Sequence, residues 1–130
     1  MCGAAVAWAS KRERCVTLSS TEAELVAASM AACDLMYIRI LLSDLGVSLP
    51  RASTLYCDNS GAVAIAKSPL TTTSLKHVLR RHFFVREACE AGEVDIVHVP
   101  TADNVADVLT KFVAKPRFDY LVCRLMRKLR

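Results

Sequence analysis

Three acidic residues occupy positions at which a carboxylate could take part in chemistry. Asp58 follows the strand-like run STLYC at 53–57 and precedes a helical segment. In α/β proteins ligands gather at the carboxyl ends of strands, so an acid at this position is well placed to bind a metal ion. Glu24 lies on a stripe of small apolar residues in a long helix, and Asp107 lies one turn into a later helix.

Each of these acids also has a simpler interpretation. Asp58 is suitably placed to cap the helix that follows it. Glu24 could complete a capping box with Thr21, and Asp107 could form an i,i+4 ion pair with Lys111, which is worth only a few tenths of a kcal/mol. A shared functional role for the three acids therefore requires that they converge in space.

Clustered carboxylates repel one another unless cations lie between them. Magnesium prefers hard oxygen ligands and keeps bound water. Two such ions about 4 Å apart can align a water molecule and stabilise both oxygens in phosphodiester cleavage. A cluster of Glu24, Asp58 and Asp107 therefore predicts a catalytic site that holds Mg²⁺ or Mn²⁺.

The cysteines indicate a reducing compartment and not a zinc site. Six cysteines are scattered among apolar neighbours without a C-x-x-C pair, and the three histidines are not paired with them. Structural zinc needs closely spaced ligands. Buried, reduced thiols are the better interpretation.

Length and composition limit the class of protein. The chain has 130 residues, of which 53% are hydrophobic and 23% charged, with four glycines and four prolines. This composition excludes disordered and collagen-like chains. The longest apolar stretch is interrupted by Asp34, Arg39 and Asp44, so no membrane span is expected, and the N-terminal charge order is the reverse of a secretory signal. We expect one intracellular, soluble domain over residues 1–130.

Basic residues are concentrated in three places. Residues 111–130 contain seven basic residues and one acid, and further groups lie at Lys11–Arg14 and Lys76–Arg86. Such patches suit a polyanion, because each neutralised phosphate releases counterions. On charge alone, a solvated surface accounts for them equally well. The candidate nucleic-acid-binding residues are Lys11, Arg12, Lys76, Arg80, Arg81 and Lys111.

The predicted elements mix strands and helices along the whole chain. Ser19-Ser20-Thr21-Glu22 has a capping-box pattern that opens a long helix, and Gly46 ends it. The predicted strands are 3–9, 14–18, 53–57 and 93–99, and the further predicted helices are 59–66, 75–91, 103–113 and 116–130, the last of them basic. This order favours an α/β fold in which helices pack on a mixed sheet.

Several ordered motifs resemble the RNase H domain of copia-type LTR-retrotransposon polyproteins. They are S-S-T-E-A-E, C-D-N, K-H, H-F-x-x-R-E and N-x-A-D-x-x-T-K, within a match from about Gly3 to Phe118. The resemblance implies a ribonuclease H-like fold, in which helices flank a mixed sheet and four acids hold magnesium. It also implies hydrolysis of the RNA strand of RNA–DNA hybrids by a two-metal mechanism.

The resemblance assigns roles to the same three acids. The helix glutamate of T-E-A-E falls on Glu24, the strand-end aspartate of C-D-N on Asp58, and the late aspartate of A-D-x-x-T-K on Asp107. These residues are expected to lie together at one end of the sheet. Glu22 is expected to point away, because it serves the capping box.

The sequence also departs from the family. The family's first metal-binding aspartate lies on a strand upstream of the segment that corresponds to Gly3–Lys11, and no acid precedes Glu13 here. The domain is therefore expected to lack the first two strands and to have an exposed sheet edge. Thr72 and Ser74–Leu75 stand where the family has histidine and Arg-Thr, and His98 lies in a strand and not in a catalytic loop.

These departures leave more than one function open. As an enzyme, the chain would act on RNA–DNA hybrids beside the reverse transcriptase domain of a Pol polyprotein, without a membrane, in the cytoplasm, the nucleus or a virus-like particle. Without the first aspartate, the chain alone is expected to be inactive. The alternatives are a catalytically inactive transposon relic, a nucleic-acid-binding remnant, and a general α/β domain whose acids only cap helices.

Overall fold

The computed structural model describes residues 5–10, 19–68 and 79–126, with the side chains of the third helix described from Phe84 onward. The elements are α1 (Ser20–Asp44), β1 (Ser53–Cys57), α2 (Ser60–Lys67), α3 (Leu79–Glu90), β2 (Val94–His98), a 3₁₀ turn (Thr101–Asp103), α4 (Asp107–Thr110) and α5 (Lys115–Leu125). The chain divides into two compact units, a larger one over 15–99 and a smaller one made of 1–14 and 100–130. The molecule is thus a mixed α/β protein with a small sheet.

The long helix α1 begins and ends where its sequence predicts. Ser19 is its N-cap, with extended backbone, and the Ser19 hydroxyl accepts a hydrogen bond of 3.1 Å from the Glu22 backbone N–H. This bond satisfies one of the helix's first free donors. At the other end Gly46 has a φ of 77°, a left-handed conformation that glycine adopts without strain.

The sheet of the larger unit consists of β1 and β2, which run parallel. Their register pairs Ser53 with Val94 and Cys57 with His98. Because the strands are parallel, their carboxyl ends lie at the same edge of the sheet. Asp58, the residue after β1, is therefore placed at that edge.

The core of the larger unit is built largely from small side chains. α1 packs against α2, α3 and β1. The buried cluster contains Leu25, Ala28, Ala32, Cys57, Ala62, Ala66, Val85, Ala88, Val94 and Ile96. By length and composition alone α1 could cross a bilayer, as the core helices of soluble proteins also could.

Two predictions of secondary structure are wrong in the described residues. Residues 5–9, predicted as part of a strand, form no strand, and Val6 and Trp8 are 63% and 73% exposed. The segment is rich in alanine, which is depleted in strands. The other early strand, 14–18, lies outside the described residues, as do 75–78 of the third predicted helix and 127–130 of the last.

The second wrong prediction is a continuous helix over 103–113. The structure has only the 3₁₀ turn and the single turn of α4. Asn104 is extended, and its side-chain oxygen accepts a hydrogen bond of 3.1 Å from the Ala106 N–H. Asparagine competes in this way with the helical backbone for hydrogen bonds. The last helix instead begins at Lys115, with Pro116 in its first turn.

Arg39 ties three parts of the larger unit together. Its guanidinium contacts the Glu93 carboxylate through Nε and NH2, at 2.7 and 2.6 Å. It also donates to the Arg51 and Leu49 carbonyls and to the Ser53 hydroxyl, at 2.9, 3.3 and 2.9 Å. The side chain is only 13% exposed. Arg39 therefore fixes the end of α1 to the loop before β1 and to the start of β2.

We expect Arg39→Met to lower the free energy of unfolding by about 2 kcal/mol, because a charged hydrogen-bond network is lost while Glu93 stays. Urea unfolding measures this change. Lys67→Met is the matched control, since the Lys67–Asp95 pair also joins two elements but is half exposed and should change stability by less than about 0.5 kcal/mol. Equal effects of the two variants would contradict the role of Arg39.

Candidate functional site

Two polar residues, Asp58 and Asn59, follow β1, and the structure shows which of them caps the next helix. Asn59, and not Asp58, is the N-cap of α2, and its side-chain oxygen accepts a hydrogen bond of 3.0 Å from the Ala62 N–H. The capping interpretation of Asp58 is therefore wrong. The Asp58 side chain is half-buried at the carboxyl edge of the sheet.

The first turn of α1 contacts this same edge. The Asn59 amide donates to the Thr21 hydroxyl at 3.5 Å, and a Cβ built on Gly61 would lie 3.5 Å from the Thr21 side chain. Thr21 lies inside α1, because Ser19 is the N-cap. The Thr21–Glu24 capping box is therefore not the arrangement adopted, and Glu24 follows Thr21 by about one turn.

The Cys57 thiol, at the end of β1, is affected by the charges of both candidate acids of the larger unit. Burial raises the pKa of this thiol, a hydrogen bond with the Asn59 backbone lowers it, and the charges of Glu24 and Asp58 raise it again. Both carboxylates thus lie within electrostatic range of one thiol.

Glu22 lies in the same turn of α1 but is held differently. Its backbone N–H makes the capping bond to Ser19, and its side chain is buried, at 8% exposed. That it points away from the acidic cluster stays a prediction.

Asp107 belongs to the smaller unit and is 2% exposed. One carboxylate oxygen lies 2.8 Å from the Lys111 Nζ, and the other lies 2.8 Å from an Arg117 NH2 atom. The same Arg117 nitrogen donates to the Thr101 carbonyl at 2.6 Å. The i,i+4 pair with Lys111 is therefore present, and Arg117 adds a second positive charge to the same carboxylate.

The carboxylates fit a divalent cation only in part. Glu24 and Asp58 offer the oxygen donors that magnesium prefers, but two side chains do not complete its ligand shell. Within 5–10, 19–68 and 79–126, no three His, Cys, Asp or Glu side chains are grouped so that they could hold a metal ion. Convergence of all three predicted acids stays a prediction.

Most of the predicted phosphate-binding residues lie beyond what the structure describes. Lys11, Arg12 and Lys76 lie outside the described residues, and Arg80 and Arg81 lie on α3 without described side chains. The predicted contact residue Lys111 is held by Asp107, as described above. Sequence reasoning gave Arg117 no role, although it belongs to the basic C-terminal run.

Comparison with known proteins gives one consistent family of relatives. The chain is 33% identical over 120 residues to the retrovirus-related Pol polyprotein from transposon RE1 of Arabidopsis thaliana, covering 92% of the chain and 8% of that protein. It is 35% identical over 113 residues to the RE2 polyprotein of the same plant, covering 87% and 8%. It is 32% identical over 117 residues to the polyprotein from transposon TNT 1-94 of Nicotiana tabacum, covering 90% and 9%.

The homologues are thus Pol polyproteins of copia-type retrotransposons. The chain spans less than a tenth of the length of these relatives. No family model matches it, and no solved structure gives a significant match. The similarity supports a retrotransposon-derived sequence.

We expect Glu24→Gln and Asp58→Asn each to lower the pKa of the Cys57 thiol, because each removes a negative charge that opposes the thiolate. The measurement is alkylation of Cys57 by iodoacetamide across the alkaline range, read by peptide mass spectrometry. Glu22→Gln, in the same turn of α1, is the control and should not change the pH dependence of Cys57 alkylation. An unchanged profile in both test variants would show that the two carboxylates do not meet at Cys57.

Proposed function

We propose that this chain is an RNase H-like segment of a retrotransposon Pol polyprotein that binds RNA–DNA hybrids and supplies acids for hydrolysis of the RNA strand. The proposal is supported by the ordered motifs, by the relatives and by the α/β arrangement with a parallel strand pair. The observation that carries it is that Glu24 and Asp58, which belong to different segments of the chain, both lie within electrostatic range of the Cys57 thiol at the carboxyl end of β1.

Glu24 and Asp58 are suited to this role because they come from different elements. α1 supplies one carboxylate and the end of β1 supplies the other, so packing of the helix on the sheet sets their separation. We propose Mg²⁺ or Mn²⁺ as the cofactor, with Asp107 as a further ligand. Such ions, when bound, activate water and stabilise the oxygens of a phosphodiester.

The positive charges around Asp107 bear on its proposed role as a metal ligand. Lys111 and Arg117 already neutralise its carboxylate, so a divalent cation must compete with two positive side chains. This favours a second candidate function, a nucleic-acid-binding remnant without hydrolytic activity.

The partners follow from the same proposal. An RNA–DNA hybrid is the proposed substrate, and the reverse transcriptase portion of a Pol polyprotein is the proposed neighbour. The proposed setting is intracellular, in the cytoplasm, the nucleus or a virus-like particle, with no membrane.

We expect the 130-residue chain to bind an RNA–DNA hybrid and to cleave it at background rate with Mg²⁺ or Mn²⁺. Binding should weaken steeply with salt, because it depends on phosphate contacts. Cleavage should be low, because the upstream aspartate of the family is not among these residues. The measurements are fluorescence anisotropy for binding and gel analysis of labelled RNA for cleavage.

The second arm of this experiment uses an extended chain that carries an upstream strand and its aspartate from one of the Pol relatives. This chain should recover cleavage, and Asp58→Asn within it should abolish cleavage without abolishing binding. Robust cleavage by the short chain, lost on Asp58→Asn, would show that another residue completes the site. No hybrid binding by either chain would contradict the proposed function.

A further inference from the structure

The smaller unit contains a compact set of three charged side chains, Asp107, Lys111 and Arg117. Asp107 is almost fully buried, whereas Lys111 and Arg117 are 52% and 37% exposed. The carboxylate therefore lies inside and the two cations lie at the surface above it. One negative and two positive charges leave this cluster with a net positive charge.

The buried carboxylate keeps both cations in place. Removing a partner from a buried ion pair is strongly destabilising, because the remaining charge is left uncompensated. Arg117 is further fixed by its hydrogen bond to the Thr101 carbonyl. The two cations are consequently ordered before any ligand arrives, which lowers the entropy lost on binding.

These contacts involve only part of the Arg117 guanidinium. It has five N–H donors in a planar fork, and its hydrogen bonds to the Thr101 carbonyl and the Asp107 carboxylate both use one nitrogen. Its Nε is buried and has no hydrogen-bond partner. This nitrogen is shielded from solvent, so an anionic oxygen would be bound by the remaining donors of the planar guanidinium fork, in a side chain that is 37% exposed.

We propose that Lys111 and Arg117 form a phosphate subsite for a nucleic-acid backbone, with Asp107 as the positioning residue beneath them. The inference rests on the proposed function, since it takes the bound phosphate to be that of an RNA–DNA hybrid. It adds Arg117 to the binding surface and gives Asp107 a role that needs no metal ion.

The test compares Lys111→Met with Lys115→Met in the full chain. Both variants remove one positive charge from the same unit, and Lys115 is exposed at the start of α5. Lys111→Met leaves the Asp107–Arg117 pair intact, so the unit should still fold, as circular dichroism would verify. The readout is the affinity for an RNA–DNA hybrid between about 50 and about 200 mM salt, over which one phosphate contact changes affinity about three- to fourfold.

We expect Lys111→Met to reduce the salt dependence by one phosphate contact and Lys115→Met to reduce it by less. Arg117→Lys, which keeps the charge but loses the planar fork, should also weaken binding. Free inorganic phosphate should compete with the hybrid more weakly for these variants than for the unmodified chain. Equal salt dependence in Lys111→Met and Lys115→Met would overturn the subsite while leaving hybrid binding intact. No binding by the unmodified chain would overturn both the subsite and the proposed function.

A second pair of variants tests the positioning role. Asp119→Asn removes an exposed negative charge from α5 and should strengthen binding by general electrostatics. Asp107→Asn removes the same charge but also releases Lys111 and Arg117, so it should bind at least about threefold more weakly than Asp119→Asn. Equal or tighter binding by a folded Asp107→Asn chain would overturn the positioning role.

Discussion

The arrangement of the larger unit depends on close packing between α1 and α2. Ala28 and Ala32 of α1 share a buried cluster with Ala62 and Ala66 of α2, and such small side chains let two helices approach closely. This approach brings the first turn of α1 to the end of β1, where Thr21 meets Asn59. Larger side chains at these alanines would separate the elements that carry Glu24 and Asp58, so the candidate site depends on apolar packing one turn away from it.

The two units place their acids in opposite electrostatic surroundings. In the larger unit, Glu24 and Asp58 are half-buried and raise the pKa of the Cys57 thiol. In the smaller unit, Asp107 is buried under two cations. The resemblance places these three acids in one metal site, but their electrostatic need for a bound cation differs. A bound cation would stabilise the negative charges of Glu24 and Asp58, whereas the charge of Asp107 is already balanced by two positive side chains.

Local signals in the sequence were sufficient for much of the fold. The Ser19 cap, Gly46 and the alternation around Val94–His98 all predicted elements that the structure contains, because caps, turns and periodicity depend on near neighbours. The prediction of a helix over 103–113 was wrong, because the hydrogen bond that the Asn104 side chain accepts from the Ala106 N–H competes with the helix there. The partner Arg117 of Asp107 could not be predicted either, because it comes from the next helix and their contact is set by tertiary packing.

We propose that Glu24 and Asp58 act together on one divalent cation at the carboxyl end of β1. Paramagnetic broadening by Mn²⁺ in the ¹⁵N-labelled chain tests it most directly, because broadening depends on distance from the ion and not on catalysis. Substoichiometric Mn²⁺ should selectively broaden the amide signals around Glu24 and around Asp58, and Asp58→Asn should remove both effects. Broadening at only one of these segments, or at neither, would contradict it.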